Sequence, residues 1–157
     1  MKKNIGKILA VILVVALLAT VLCACVPSDF SKAAANLKEN GYTAATVGNG
    51  DLVNGANAAA KVAAAAYDIT LTGKCDNIVT GVSEDGKQSV TIYYFDNAKD
   101  AKAFNKACKA NVKKAKDELK KQKDAYKKAL EEMKDVKFGV SGKAFYYGTK
   151  AAVKACN

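Results

Sequence analysis

The chain has no arginine, no histidine and no tryptophan, and its single proline is Pro27. Each absence removes a kind of chemistry. Arginine supplies the planar fork that grips phosphate and guanine, so sequence-specific reading of nucleic acid is not expected. Histidine is the commonest general base, the partner in Ser-His and Cys-His dyads, and the commonest zinc ligand. None of those devices can be built here. GxSxG, HExxH, CxxC and the DxDxDG calcium loop are all missing. Gly48, Gly50 and Gly55 match neither nucleotide fingerprint, and no GK[ST] follows them. No catalytic residue, metal site or cofactor is therefore expected.

What is present is lysine. All 25 basic residues are lysines, set against 15 acids, for a net charge of +10 in 157 residues. A lysine-only basic set fits an A/T-rich coding bias without any functional cause. Half the residues are apolar, enough to core one domain and hardly two.

The first 25 residues have three parts. Lys2, Lys3 and Lys7 make a positive start, and Ile8 to Leu22 is an apolar stretch of 15 residues interrupted only by Thr20. A bilayer-spanning helix needs about 20 apolar residues; 15, with positive charge before and small residues after, is the pattern of a signal peptide. The end of this segment, Leu22-Cys23-Ala24-Cys25, resembles the bacterial lipobox. The resemblance implies that the Cys25 thiol receives a diacylglyceryl group. It also implies cleavage after Ala24, leaving Cys25 as the mature N-terminus. A frame ending at Cys23 would put bulky Leu22 before the cut. An uncleaved signal anchor is the alternative. On this reading residues 1–24 are a removed signal peptide, 25–28 a lipidated short tether, and 29–157 a single domain on the outer face of the cell membrane. The mature chain keeps 22 lysines against 15 acids, net +7. The segments "KAFYYGTKAAVKA" and "SVTIYYFDNAKDAKAF" are similar to small uncharacterised lipoproteins of Gram-positive bacteria.

Three cysteines remain beyond Cys25: Cys75, Cys108 and Cys156. They allow at most one internal disulfide with one thiol left over; an oxidising compartment permits a bridge, and buried free thiols are the other possibility.

Along the folded part, Ser28 is expected to cap a helix running to about Asn40, with Phe30, Ala33, Ala34 and Leu37 on one face and Gly41 as its stop. Tyr42 to Val47 reads as a strand. Alanine-rich 54–67 reads as a helix. Ile78 to Ser83 and Ser89 to Phe95 form a hairpin about Glu84-Asp85-Gly86-Lys87. Val136, Phe138 and Val140 alternate, Ser141-Gly142 turns, and Ala144 to Tyr147 returns. Thr149 then caps a last helix with Ala152, Val153 and Cys156 inward. The expected fold is α+β: a small, mainly antiparallel sheet of two hairpins with helices packed on one face.

Residues 97–135 contain no glycine or proline, and small or apolar residues recur by threes and fours from Ala101 to Met133. Asn97 is the expected cap, with Asp100 at the third helical position. One continuous helix over this stretch would be roughly 58 Å long, so its second half either projects or folds back near Lys120 to Lys123. The stretch holds 13 lysines against 7 acids. Lys120, Lys121, Lys127 and Lys128 are the expected contacts with an anionic surface, either lipid headgroups or cell-wall polymer.

Aromatic residues crowd the two hairpins, and successive strand residues point to opposite faces. Tyr93, Phe95 and Tyr146 are therefore candidates for an exposed aromatic face; packing beneath helices is the alternative. Two function classes follow: a membrane-tethered binding or interaction domain, or an extracytoplasmic hydrolase using carboxylate or tyrosine chemistry. Convergent acids in a pocket would favour the second.

Overall fold

Strand register organises the molecule. The computed structural model describes residues 26–48, 50, 54, 55, 57, 58, 61, 65, 73–119 and 134–157, and of 111, 114–116, 118 and 119 only the backbone. Among the described residues, strands β1 (Tyr42–Gly48), β2 (Cys75–Ser83), β3 (Ser89–Phe95), β4 (Val136–Ser141) and β5 (Ala144–Thr149) form one five-stranded sheet in the order β1-β2-β3-β5-β4. Every pairing is antiparallel. The fold is α+β. The two expected hairpins, β2–β3 and β4–β5, are present, and they join through β3 and β5, from Val90↔Gly148 to Tyr94↔Ala144. In the first hairpin Gly86 takes φ 70°, a conformation open to glycine at no steric cost. At Gly148 the demand is space: a Cβ there would run into the Ser89 carbonyl oxygen and the Val90 backbone on the neighbouring strand.

Helix α1 (Phe30–Glu39) is capped by Asp29, one residue later than the expected Ser28. Asp29 Oδ1 accepts from Ser31 N at 2.7 Å and Lys32 N at 3.3 Å. A carboxylate outcompetes a hydroxyl here because the helix N-terminus attracts negative charge. Helix α2 (Ala98–Leu119) starts as expected, with Asn97 Oδ1 accepting from Asp100 N at 2.8 Å. Residues 120–133 lie outside the described residues. Lys134 and Asp135 form a turn leading into β4, so the helical stretch does not reach Asp135. The described positions of the alanine-rich segment, 54, 55, 57, 58, 61 and 65, are helical. Helix α3 (Lys150–Ala155) is capped by the Thr149 hydroxyl, which accepts from Ala152 N.

The helices cover both faces of the sheet, which corrects the expectation of one. On the first face Leu37 of α1 and Ala152, Val153 and Cys156 from α3 and its cap pack with Val79, Val90, Ile92, Tyr94, Ala144 and Tyr146. On the second, Ala101, Phe104 and Cys108 of α2 pack with Tyr93, Phe95, Phe145 and their neighbours. The reason lies in β3 and β5. Both strands are apolar at odd and even positions alike, so neither face can be left to water. Full burial of one such side chain contributes about 1.5–3 kcal/mol.

A bulge decides one side chain. Cys75 pairs with Phe95 but Asn77 pairs with Tyr94, so Asp76 is an extra residue in β2. Without it, strict alternation from Ile78 would turn Cys75 towards α1 and α3. With it, Cys75 joins the cluster under α2.

Candidate functional site

The end of the sheet where the chain enters is held by several side-chain bonds to backbone. Val26 is only 1% exposed and belongs to the core shared with α1 and α3. Its carbonyl accepts from Ser141 Oγ at 2.7 Å. The next carbonyl, of Pro27, accepts from the Tyr94 hydroxyl at 3.0 Å. Phe30, the first residue of α1, stands edge-on to the Tyr94 ring at 6.2 Å. Tyr94 is thus fixed at both its ring and its hydroxyl. Burial raises its pKa well above the usual tyrosine value, with smaller contributions from Cys156 and Asp29. It stays protonated and acts as a donor.

Beside this lies a polar knot. The Asp100 side chain is fully buried. Its carboxylate accepts from the Gly73 amide and from Asn97 Nδ2, the latter at 2.8 Å. Asp96 Oδ1 accepts from Asn97 Nδ2 at 2.8 Å and from Lys74 N at 3.3 Å. Gly73 is bare because any Cβ would meet the side chains of Asp96, Asn97 and Asp100. Next along, Asn57 Nδ2 donates to the Cys75 carbonyl at 3.1 Å, and Asn57 Oδ1 accepts from Cys75 N at 2.6 Å. The side-chain amide of Asn57 thereby pairs with Cys75 as a neighbouring strand would. These bonds fasten the start of β2 to the start of α2 and to the helical segment at 57. Asp96 and Asp100 are the nearest thing to a convergent carboxylate pair, but Asp100 faces main-chain and side-chain amides and not solvent.

The aromatic candidates do not form one face. Tyr93 and Phe95 lie under α2, with ring centroids 5.8 and 5.6 Å from that of Phe104. Tyr146 lies on the opposite side, in the core with α1 and α3, and is 7% exposed. Consecutive strand residues alternate, so Tyr93 and its cross-strand partner Phe145 share one side, whereas Tyr146, paired with Ile92, takes the other. Burial, with Tyr147 nearby, raises the Tyr93 pKa strongly. Cys75, Cys108 and Cys156 are free and buried. Cys156 is separated from the other two by the sheet. Burial pushes their pKa values up to about 11, about 12 and about 12. These are poor nucleophiles at neutral pH.

Cys25 and Lys120, Lys121, Lys127 and Lys128 lie outside the described residues. Among the described residues, no group of three or more Cys, Asp or Glu is placed to hold a metal ion, and no helix is long and apolar enough to cross a membrane. The features missed from sequence are the pinning of Val26 and the Gly73 knot. An apolar valine directly after the cysteine signalled the first. The second was half visible in Asp96-Asn97-x-x-Asp100, but its partner, Gly73, is distant in sequence. No protein-family model, curated protein or solved structure matches the chain.

Proposed function

We propose that the protein is a lipid-anchored membrane protein of the extracytoplasmic face, whose domain works by binding and not by catalysis. One juxtaposition carries the reading: the lipobox-like Leu22-Cys23-Ala24-Cys25 stops where the folded core starts, at Val26. A diacylglyceryl group on Cys25 brings two acyl chains, enough for stable attachment where one chain alone is not. The binding reading is favoured over a hydrolase because the paired carboxylates Asp96 and Asp100 are engaged as acceptors by Gly73, Lys74 and Asn97. Tyr93, Tyr94 and the three thiols are held protonated by burial. The partner we infer is an anionic surface, lipid headgroups or cell-wall polymer. The lysine-rich stretch beyond Leu119 meets it through Lys120, Lys121, Lys127 and Lys128.

Intact-mass measurement of the membrane fraction tests the anchor. The expected product is a chain starting at Cys25 with an added acyl-glyceryl mass, lost in Cys25→Ala. Persistence of that mass in Cys25→Ala, or its loss in Cys23→Ala, overturns the assignment. A full-length unmodified chain in the membrane fraction identifies an uncleaved anchor instead.

A further inference from the structure

The entry of the chain into the fold fixes more than an attachment point. Val26 is buried and its carbonyl is bonded to Ser141; the Pro27 carbonyl is bonded to Tyr94. Proline has a locked φ. Consecutive Cα atoms are about 3.8 Å apart, so Cys25 is one fixed virtual bond from a core side chain. A tether of n residues reaches at most about 3.3–3.6 Å × n, and here there are no free residues to count. The expected tether over 25–28 is part of the domain from Val26 onward.

We propose that the domain is held on the bilayer in a single orientation, with one defined end of its sheet against the lipid headgroups. The proposal rests on the lipid-anchor reading above. The register identifies that end. Val26 is tied to Ser141, which pairs with Ala144 across the β4–β5 turn. Ala144 pairs with Tyr94, and Phe95 next to it pairs with Cys75. The β4–β5 turn with exposed Gly142 and Lys143, the start of β2 at exposed Lys74, and the junction of β3 with α2 at exposed Asp96 therefore lie together. They form the end of the sheet nearest the anchor. The β2–β3 turn at Glu84 is at the other end. β3 has seven residues, and at ~3.3 Å each it alone separates the two ends by roughly 23 Å. The orientation follows from the covalent path and not from charge, because lysines and carboxylates are mixed at both ends. Lysines at the near end can keep their stems along the interface with their ammonium groups among phosphates.

The buried native thiols make the test clean. Cys75, Cys108 and Cys156 are buried, so an exposed introduced cysteine takes a maleimide fluorophore selectively. Lys143→Cys and Glu84→Cys are made in the full lipidated protein, reconstituted into vesicles containing a headgroup-attached quencher. The probe at 143 is expected to be quenched several-fold more than the probe at 84. Inserting ten Gly/Ser residues between Cys25 and Val26 gives a tether of ~17 Å root-mean-square length and should erase the difference while the protein still sediments with the vesicles. Equal quenching at the two positions without the spacer, in protein that sediments, overturns the fixed orientation alone. Stronger quenching at 84 assigns the opposite end. Protein that fails to sediment overturns the lipid anchor and this inference with it.

Discussion

The ring of Phe104, on α2, stands edge-on against the ring of Phe145, on β5, with centroids 4.9 Å apart and planes at 86°. Phe145 is 1% exposed and also meets Tyr93, Phe138 and Tyr147. Phe104 is thus the side chain through which α2 closes the second face of the sheet. Phe104 is half-buried, so Phe104→Ala is expected to lower stability by about 2–3 kcal/mol, at or below the low end for a fully buried phenylalanine. Urea unfolding followed by circular dichroism reads this as a lower midpoint. A loss below about 1 kcal/mol would mean that α2 does not cover that face.

Asp100 is expected to matter for stability out of proportion to its size. Asp100→Ala strands the half-buried Gly73 amide and removes a charge-assisted pair of bonds, at a cost of about 2–3 kcal/mol. Asn97→Ala removes the cap and costs about 1 kcal/mol. The two side chains share a bond, at 2.8 Å, so the double variant should lose less than the sum of the two. Amide exchange at Gly73 should speed up in Asp100→Ala well before global unfolding.

The three thiols predict an alkaline limit. Each has a folded pKa raised above its ordinary value by burial, to about 11 for Cys75 and about 12 for Cys108 and Cys156. The unfolded chain therefore loses these protons first as pH rises past about 8.5. Their stabilising effect is complete below that pH and is lost progressively towards pH 12. Each contributes a slope of up to about 1.4 kcal/mol per pH unit in that window. Denaturation midpoints measured from pH 7 to 10.5 should fall, and the fall should flatten in a triple Cys→Ala variant. At pH 7 the native thiols should resist a maleimide that labels all three in denaturant.

Membrane affinity of the unlipidated domain is expected to depend on salt and on four lysines. Binding to anionic vesicles should weaken steeply between low salt and 0.15 M, where the Debye length is about 8 Å. Changing Lys120, Lys121, Lys127 and Lys128 to glutamate should remove roughly 1 kcal/mol for each lysine lost. Co-sedimentation measures both. Binding that ignores the reversals would assign the contact elsewhere on the surface.

Much of the fold was written locally. The Val90, Ile92, Tyr94 alternation, the Asp-Gly turn and the Asn97 cap each depend on a few adjacent residues, and each appears where those residues place it. The faces of the sheet were harder to read. Tyr93 and Tyr94 are both large and apolar, so the strand itself does not say which side meets water. Only the positions of Leu37 and Phe104 show that neither does. The cap of α1 was misplaced by one residue because Ser28 and Asp29 are both good caps. The polar knot escaped because Gly73 and Asp100 are far apart in sequence and join only in the fold. Likewise Val26 and Ser141 carry no mutual signal in the sequence, and their bond exists only in the fold.

The strand order sets a schedule for assembly. β5 is the last strand in the sequence but lies inside the sheet, between β3 and β4. A chain emerging from its N-terminus can pair β2 with β3 early, through a hairpin, and β1 with β2 across about thirty to forty residues. Yet β3 then waits, with one row of amides and carbonyls unpaired, until residues 144–148 arrive from some fifty positions further on. Pairings of such sequence separation are slow to form, and an unpaired strand edge invites association with another chain in the interval. Until the Ala144–Thr149 strand inserts, β3 carries that unpaired edge, so the insertion is the step that closes it.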